Sequence, residues 1–165
     1  MHIWRRWRHG VVAVTAAMLM LTGCTQSSAG SRATLYDNVD ELAADSAAIV
    51  IGTVSDQHRD GDSTVSSLEV VNAPANPHLA TNLVDAGNTV NVGDSIAVRQ
   101  DADPILATGD EYLLFITPST LPGDGVEQYF ITGAVAGLYV RDGAEYRRVV
   151  TDSGDELPET FAIAE

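Results

Sequence analysis

At 165 residues the chain is the size of one domain, and nine arginines against 23 Asp and Glu, with no lysine, give it a formal net charge of −14. A surface that acidic repels phosphate backbones, which speaks against nucleic-acid binding. The apolar fraction of 45% speaks against disorder throughout, and a single cysteine excludes an intrachain disulfide.

The elements begin with a basic stretch, Met1 to Gly10, carrying Arg5, Arg6 and Arg8, followed by an uncharged run from Val11 to Leu21. The run has 11 residues, whereas crossing a bilayer as a permanent helix takes about 20, so the pattern predicts a signal peptide. It ends in Leu21-Thr22-Gly23-Cys24, which resembles the lipobox of bacterial lipoproteins. That resemblance implies cleavage between Gly23 and Cys24, a diacylglyceryl thioether on the Cys24 sulfur, and attachment to the extracytoplasmic face of the cell membrane. The membrane, through the lipid anchor, is then a partner, with an envelope protein or a small ligand as candidate second partner. Removing 23 of 165 residues leaves 142, and six arginines against 23 acids give that remainder a charge of −17.

Residues 24 to 36 are expected to be the lipidated cysteine and a flexible linker, since Thr25 to Arg32 is small and polar. Residues 37 to 150 are expected to form a β-rich domain, and 151 to 165 an acidic, frayed tail. Within the domain, Val39, Leu42 and Ala43 behind the N-cap types Asp37 and Asn38 predict one short helix. Ala47 to Ser55 is dense in β-branched residues and reads as a strand, with Gly52 marking a bulge or a close backbone approach. Asp60-Gly61 signals a hairpin into a strand from Thr64 to Val71. Asn72 to Asn88 reads as a long loop.

Thr89 to Gln100 alternates, with Val90, Val92, Ile96 and Val98 on one face and a bend at Gly93-Asp94. Tyr112 to Ile116 is the most apolar run after Cys24 and is expected at the centre of the sheet. Tyr129–Thr132, Gly137–Arg141 and Ala144–Val150 read as short strands, the last two joined by Asp142-Gly143. About seven short strands and one N-terminal helix predict a mostly β fold, a small antiparallel β-barrel or sandwich. The succession Ala-Ile-Val-Ile-Gly-Thr-Val, Val-Gly-Asp-Ser-Ile-Ala-Val-Arg and Gly-Asp-Glu-Tyr-Leu-Leu-Phe-Ile, over Ala47 to Val150, resembles the OB-like barrel of bacterial envelope lipoproteins. OB-like barrels also occur in tissue inhibitors of metalloproteases and netrin modules, where an N-terminal cysteine matters. Here Cys24 has no disulfide partner and the lipobox resemblance makes it a tether.

The inventory of chemistry is thin. His58 and His78 are 20 residues apart in polar loops, outside any metal-ligand spacing. Asp56, His58, Asp60 and Asp62 lack the full ligand pattern of a calcium loop. Gly-x-Ser-x-Gly is absent, no lysine completes a phosphate-binding loop, and the paired carboxylates Asp101 with Asp103 and Asp110 with Glu111 are what 23 acids produce without an acid–base role. No catalytic residue, cofactor or metal site is expected. Arg99, Arg141, Arg147 and Arg148 are the candidate ligand-binding residues, as one basic spot for a carboxylate or other anion, against the alternative of cross-strand pairing with the surplus acids. The expected function is a non-enzymatic binding module; an inhibitor-like or divalent-cation-binding module and a hydrolase are the alternatives.

Overall fold

The computed structural model describes residues 34–74, 90–120 and 128–162. Among them, α1 (Val39–Ala44) is followed by β1 (Ala48–Asp60), β2 (Ser63–Asn72), β3 (Ser95–Gln100), β4 (Glu111–Pro118), β5 (Gln128–Ile131), β6 (Leu138–Asp142), β7 (Glu145–Arg148) and β8 (Thr160–Phe161). The fold is mostly β: of the described residues, 49% are in strands and 6% in helix. The strands pair in the order β1-β2-β3-β5-β4-β6-β7-β8, and β1 also pairs with β4. That second pairing closes β1, β2, β3, β5 and β4 into a five-strand barrel, consistent with an OB-like domain. All pairings are antiparallel except β3 with β5, which run parallel.

Closure removes the free edges that would expose unpaired backbone groups, and β1 makes it possible by being long and bent. Its first half, Ala48 to Thr53, pairs with β4, and its second half continues along β2 to Asp60. The register shifts at Ile51/Gly52 and again at Val54/Asp56, as bulges do where a strand turns a barrel corner. Gly52 lies at the first shift, and a Cβ there would stand 3.1 Å from the carbonyl oxygen of Glu69, so both sequence readings of this glycine hold. The two-residue connection Gly61-Asp62 joins β1 to β2, with Gly61 at φ 62°.

Two apolar cores share the wall made by β1, β4 and β6. Inside the barrel lie Val50, Val54, Leu68, Val70, Ile96, Val98, Leu106, Tyr112, Leu114, Ile116, Tyr129, Ile131 and Leu138. Outside it, Ile51, Leu113, Phe115 and Tyr139 are covered by Tyr36, Leu42, Ala43, Ala136, Tyr146 and Leu157. This is why Tyr112 to Ile116 is apolar without alternation: both faces of β4 are buried. β5 and β6 both lie along one edge of β4. Between them residues 132–137 turn back, and Phe115 bonds both ends, accepting from Thr132 N (2.8 Å) and donating to the Gly137 carbonyl (3.0 Å).

The loop from 101 to 110 stoppers one end of the barrel. Leu106 is 2% exposed within the interior core. Its backbone donates to Gln100 Oε1 (2.9 Å), and Gln57 Nε2 donates to its carbonyl (2.5 Å) and to Ser66 Oγ (2.9 Å). Gln100 Nε2 donates to the Pro104 carbonyl (2.8 Å), and the Ala107 backbone donates to Tyr112 Oη (2.9 Å). The buried Gln100 amide and the half-buried Gln57 amide thus satisfy the loop's backbone.

Asn38, one of the two expected N-caps, caps α1: its Oδ1 accepts from Glu41 N at 2.9 Å. Several expected boundaries move. The expected strand from Thr89 starts only at Ser95, because residues 90–94 form a turn with Gly93 at φ 91°, leaving Val92 64% exposed. Tyr36, assigned to the linker, is buried, and residues 152–162, assigned to a frayed tail, are packed down: Asp155 and Leu157 are buried and β8 pairs with β7. The expected loop at Asn72 to Asn88 falls for the most part outside the described residues, as do Gly23, Cys24 and His78. No helix among the described residues is long and apolar enough to cross a membrane.

Candidate functional site

The four arginines singled out by the sequence occupy three separate places. Arg99 lies on β3, directly opposite Val65 of β2 and Phe130 of β5. Val65 in turn pairs with His58 of β1, so this row crosses the barrel wall beside the β1–β2 hairpin. The Arg99 side chain is 14% exposed; Nη1 donates to Asp60 Oδ2 at 2.7 Å, and Nε stands 3.8 Å from Asp101 Oδ1. Asp101 also accepts from Ser63 Oγ at 2.5 Å. The acids of this rim are therefore tied to an arginine and a serine of the neighbouring strands, and Arg59 adds a bond from Nη1 to the Asp62 carbonyl at 3.1 Å. Among the described residues no group of three or more His, Cys, Asp or Glu side chains is arranged to hold a metal ion.

Arg141 and Arg147 belong to the β6–β7 hairpin but face opposite ways. In the register Tyr139↔Arg148, Val140↔Arg147, Arg141↔Tyr146, Asp142↔Glu145, strand alternation puts Arg141 with Tyr139, Tyr146 and Arg148 on the face toward the outer core. Arg147 shares the other face with Asp142, to which it is bonded at 3.1 Å, both half exposed. Such a pair in water contributes between nothing and about 1 kcal/mol.

Arg141 bonds Glu111 Oε1 at 2.7 Å, and the Tyr146 hydroxyl donates to the same oxygen at 2.6 Å. Glu111 opens β4 and its side chain is 20% exposed. Burial first, and then the hydrogen bond and charge of Glu111, push the Tyr146 phenol up to about 12, with Arg141 opposing. A phenol held that firmly in its neutral form, bonded to a carboxylate that an arginine already neutralises, is a structural proton donor rather than an acid poised to react.

Arg148 is 5% exposed. Nη2 donates to the Thr151 carbonyl (2.8 Å) and Nη1 to the Asp155 carbonyl (3.3 Å), while Nε has no hydrogen-bond partner among the described residues. Beside it the Tyr139 hydroxyl donates to the Pro158 carbonyl at 3.2 Å. Burial pushes this phenol also up to about 12, with Arg148 pulling it down and Asp155 pushing it up. The guanidinium therefore serves to bind the backbone of the C-terminal segment.

A second polar centre, not signalled by the sequence, lies under α1. Ser46 Oγ donates to the Leu42 carbonyl (2.7 Å) and stands 2.9 Å from Thr132 Oγ1, which stands 2.8 Å from Thr117 Oγ1. These hydroxyls join the helix end to β4 and the 132–137 turn and act as glue between elements. Neither a protein-family model nor a curated protein sequence matches the chain.

Proposed function

We propose that the chain is a lipid-anchored protein of the cell envelope whose OB-like barrel acts as a non-enzymatic binding module outside the membrane. The observation that carries this reading is the segment Leu21-Thr22-Gly23-Cys24 at the end of an 11-residue apolar run with three arginines before it. A thioether-linked diacylglycerol supplies two acyl chains, and at about 0.8 kcal/mol per buried methylene two chains anchor stably where one is marginal.

The body of the protein suits a tethered module. Residues 25–33 can span at most about 30 Å fully extended, which keeps the barrel near the bilayer surface. The polar groups named above among the described residues are engaged in holding the fold, which supports a non-enzymatic reading: the arginines bind carbonyls of the C-terminal segment and neighbouring acids, the Gln57 and Gln100 amides bind a loop, and the hydroxyls bind one another. The strongly negative domain is suited to a neutral or basic envelope partner and unsuited to nucleic acid.

Fractionation tests the anchor. Wild type is expected in the membrane fraction after a high-salt wash and to be released by detergent, whereas Cys24→Ala is expected to lose detergent-dependent release of a processed protein. A processed Cys24→Ala protein that stays as firmly bound as wild type would defeat the reading, because the attachment would then be something other than the thioether.

A further inference from the structure

We infer that the C-terminal strap, residues 150–161, and the N-terminal segment, residues 34–37, form one latch that opens as a unit while the barrel stays closed.

Hydrogen bonds at Tyr36 join the two segments. The Tyr36 backbone donates to Asp155 Oδ1 at 3.0 Å, and the Glu156 backbone donates to the Tyr36 carbonyl at 2.8 Å, so Tyr36 is held from both sides by consecutive strap residues. Ser153 Oγ donates to the other oxygen of Asp155 at 2.6 Å. Tyr36 and Leu157 are both buried in the outer core. Farther along, the strap returns to the sheet through two residue pairs, Tyr146↔Phe161 and Arg147↔Thr160, and the bond from Arg148 N to the Glu159 carbonyl at 2.8 Å. Phe161 there packs edge-on to Tyr139 at 4.8 Å between ring centres.

The latch is weaker than what it lies on. The barrel strands are bound by long ladders, six residue pairs from β2 to β3 alone, and the barrel interior is filled with apolar side chains. The strap has two ladder pairs and crosses a buried guanidinium whose Nε finds no partner among the described residues. Opening exposes Leu157, Phe161 and the outer faces of Phe115 and Tyr139, but it also returns Arg148, Asp155 and several carbonyls to water, which offsets part of that cost. Segments with few ladder bonds and desolvated polar groups are the ones that open below the global unfolding free energy. On the lipid-anchor reading, on which this last point rests, the latch fixes where the tether leaves the barrel, and its opening would free the barrel from that attachment angle.

The test is residue-resolved amide exchange on the full chain, with and without Phe161→Ala. Phe161 sits at the far end of the strap, so the substitution loosens the latch without touching the Tyr36 clasp. The expected result is that exchange at Tyr36, Glu156 and Arg148 accelerates together, by a common factor of at least about tenfold, while amides of β2 and β3 are unchanged. Acceleration at Arg148 and Glu156 with Tyr36 still protected would overturn the latch, as would equal acceleration throughout the barrel or none anywhere. Asp155→Ala, at the other end, is expected to accelerate the Arg148 amide as well. The readout does not depend on the state of Cys24, so failure of the latch and failure of the lipid-anchor reading are separable.

Discussion

Gly137→Ala tests the geometry that lets β5 and β6 share one edge of β4. A Cβ at Gly137 would stand 2.8 Å from the Cβ of Phe115, 3.0 Å from the Phe115 carbonyl oxygen and 3.1 Å from the Thr132 carbonyl oxygen. None of these atoms can swing away by a side-chain rotation. The two carbonyls also accept backbone bonds, Thr132 N to Phe115 O at 2.8 Å and Gly137 N to Thr132 O at 3.1 Å, so relief of the clash stretches the bonds that define the turn. Overpacking of this kind costs about 1 to 3 kcal/mol, and stretched bonds on both sides place Gly137→Ala toward the upper end. Gly143→Ala is the comparison: it has φ +66° with nothing within 4 Å of the added carbon, so only the left-handed backbone is penalised, by about 1 kcal/mol. Urea unfolding of wild type and both variants, followed by circular dichroism, gives the two losses. A Gly137→Ala loss equal to or smaller than that of Gly143→Ala would refute the steric account of this turn.

Three further outcomes follow from the same contacts. Leu106→Ala removes the stopper of the barrel and is expected to cost about 2 to 5 kcal/mol in the same unfolding assay, since the Gln57 and Gln100 bonds would hold the loop over the cavity. Stability is expected to fall as pH rises from about 10 to about 12: Tyr139 and Tyr146 stay neutral in the fold up to about 12 whereas unfolded phenols ionise near 10, so the unfolded chain binds fewer protons in that window and is favoured. Thermal unfolding across that range checks it, and a flat profile would contradict the burial of these hydroxyls. Glu111→Gln removes the charge that holds the Tyr146 proton, so an ultraviolet titration of the phenols is expected to show one tyrosine ionising at lower pH than in wild type.

What the sequence revealed was wherever a local rule and the tertiary structure agreed. Asp60-Gly61 and Asp142-Gly143 each mark a hairpin, the Asp closing the first strand and the Gly opening a two-residue turn at positive φ, and the unbroken apolar run at β4 marks a strand buried on both sides. Val92 misled because its alternation with Val90 continues a strand pattern that Gly93 ends. The strap was hidden for a different reason: Leu157 and Phe161 are isolated among acids and a proline, with no period to read, and their burial comes from a surface that exists only once β4, β6 and β7 are paired. Arginine positions carried the least information, since strand alternation sets the face of Arg141 and Arg147 only when the register is known, and the partners Asp60, Glu111 and Thr151 lie on other elements or past the strand end.

The central claim, that Cys24 carries the lipid tether, is tested most directly by intact-mass measurement of protein purified from membranes. The account predicts a chain that begins at Cys24 with the added mass of at least a diacylglyceryl group, and no such species from Cys24→Ala. A wild-type chain that begins elsewhere, or that begins at Cys24 with an unmodified thiol, would contradict it.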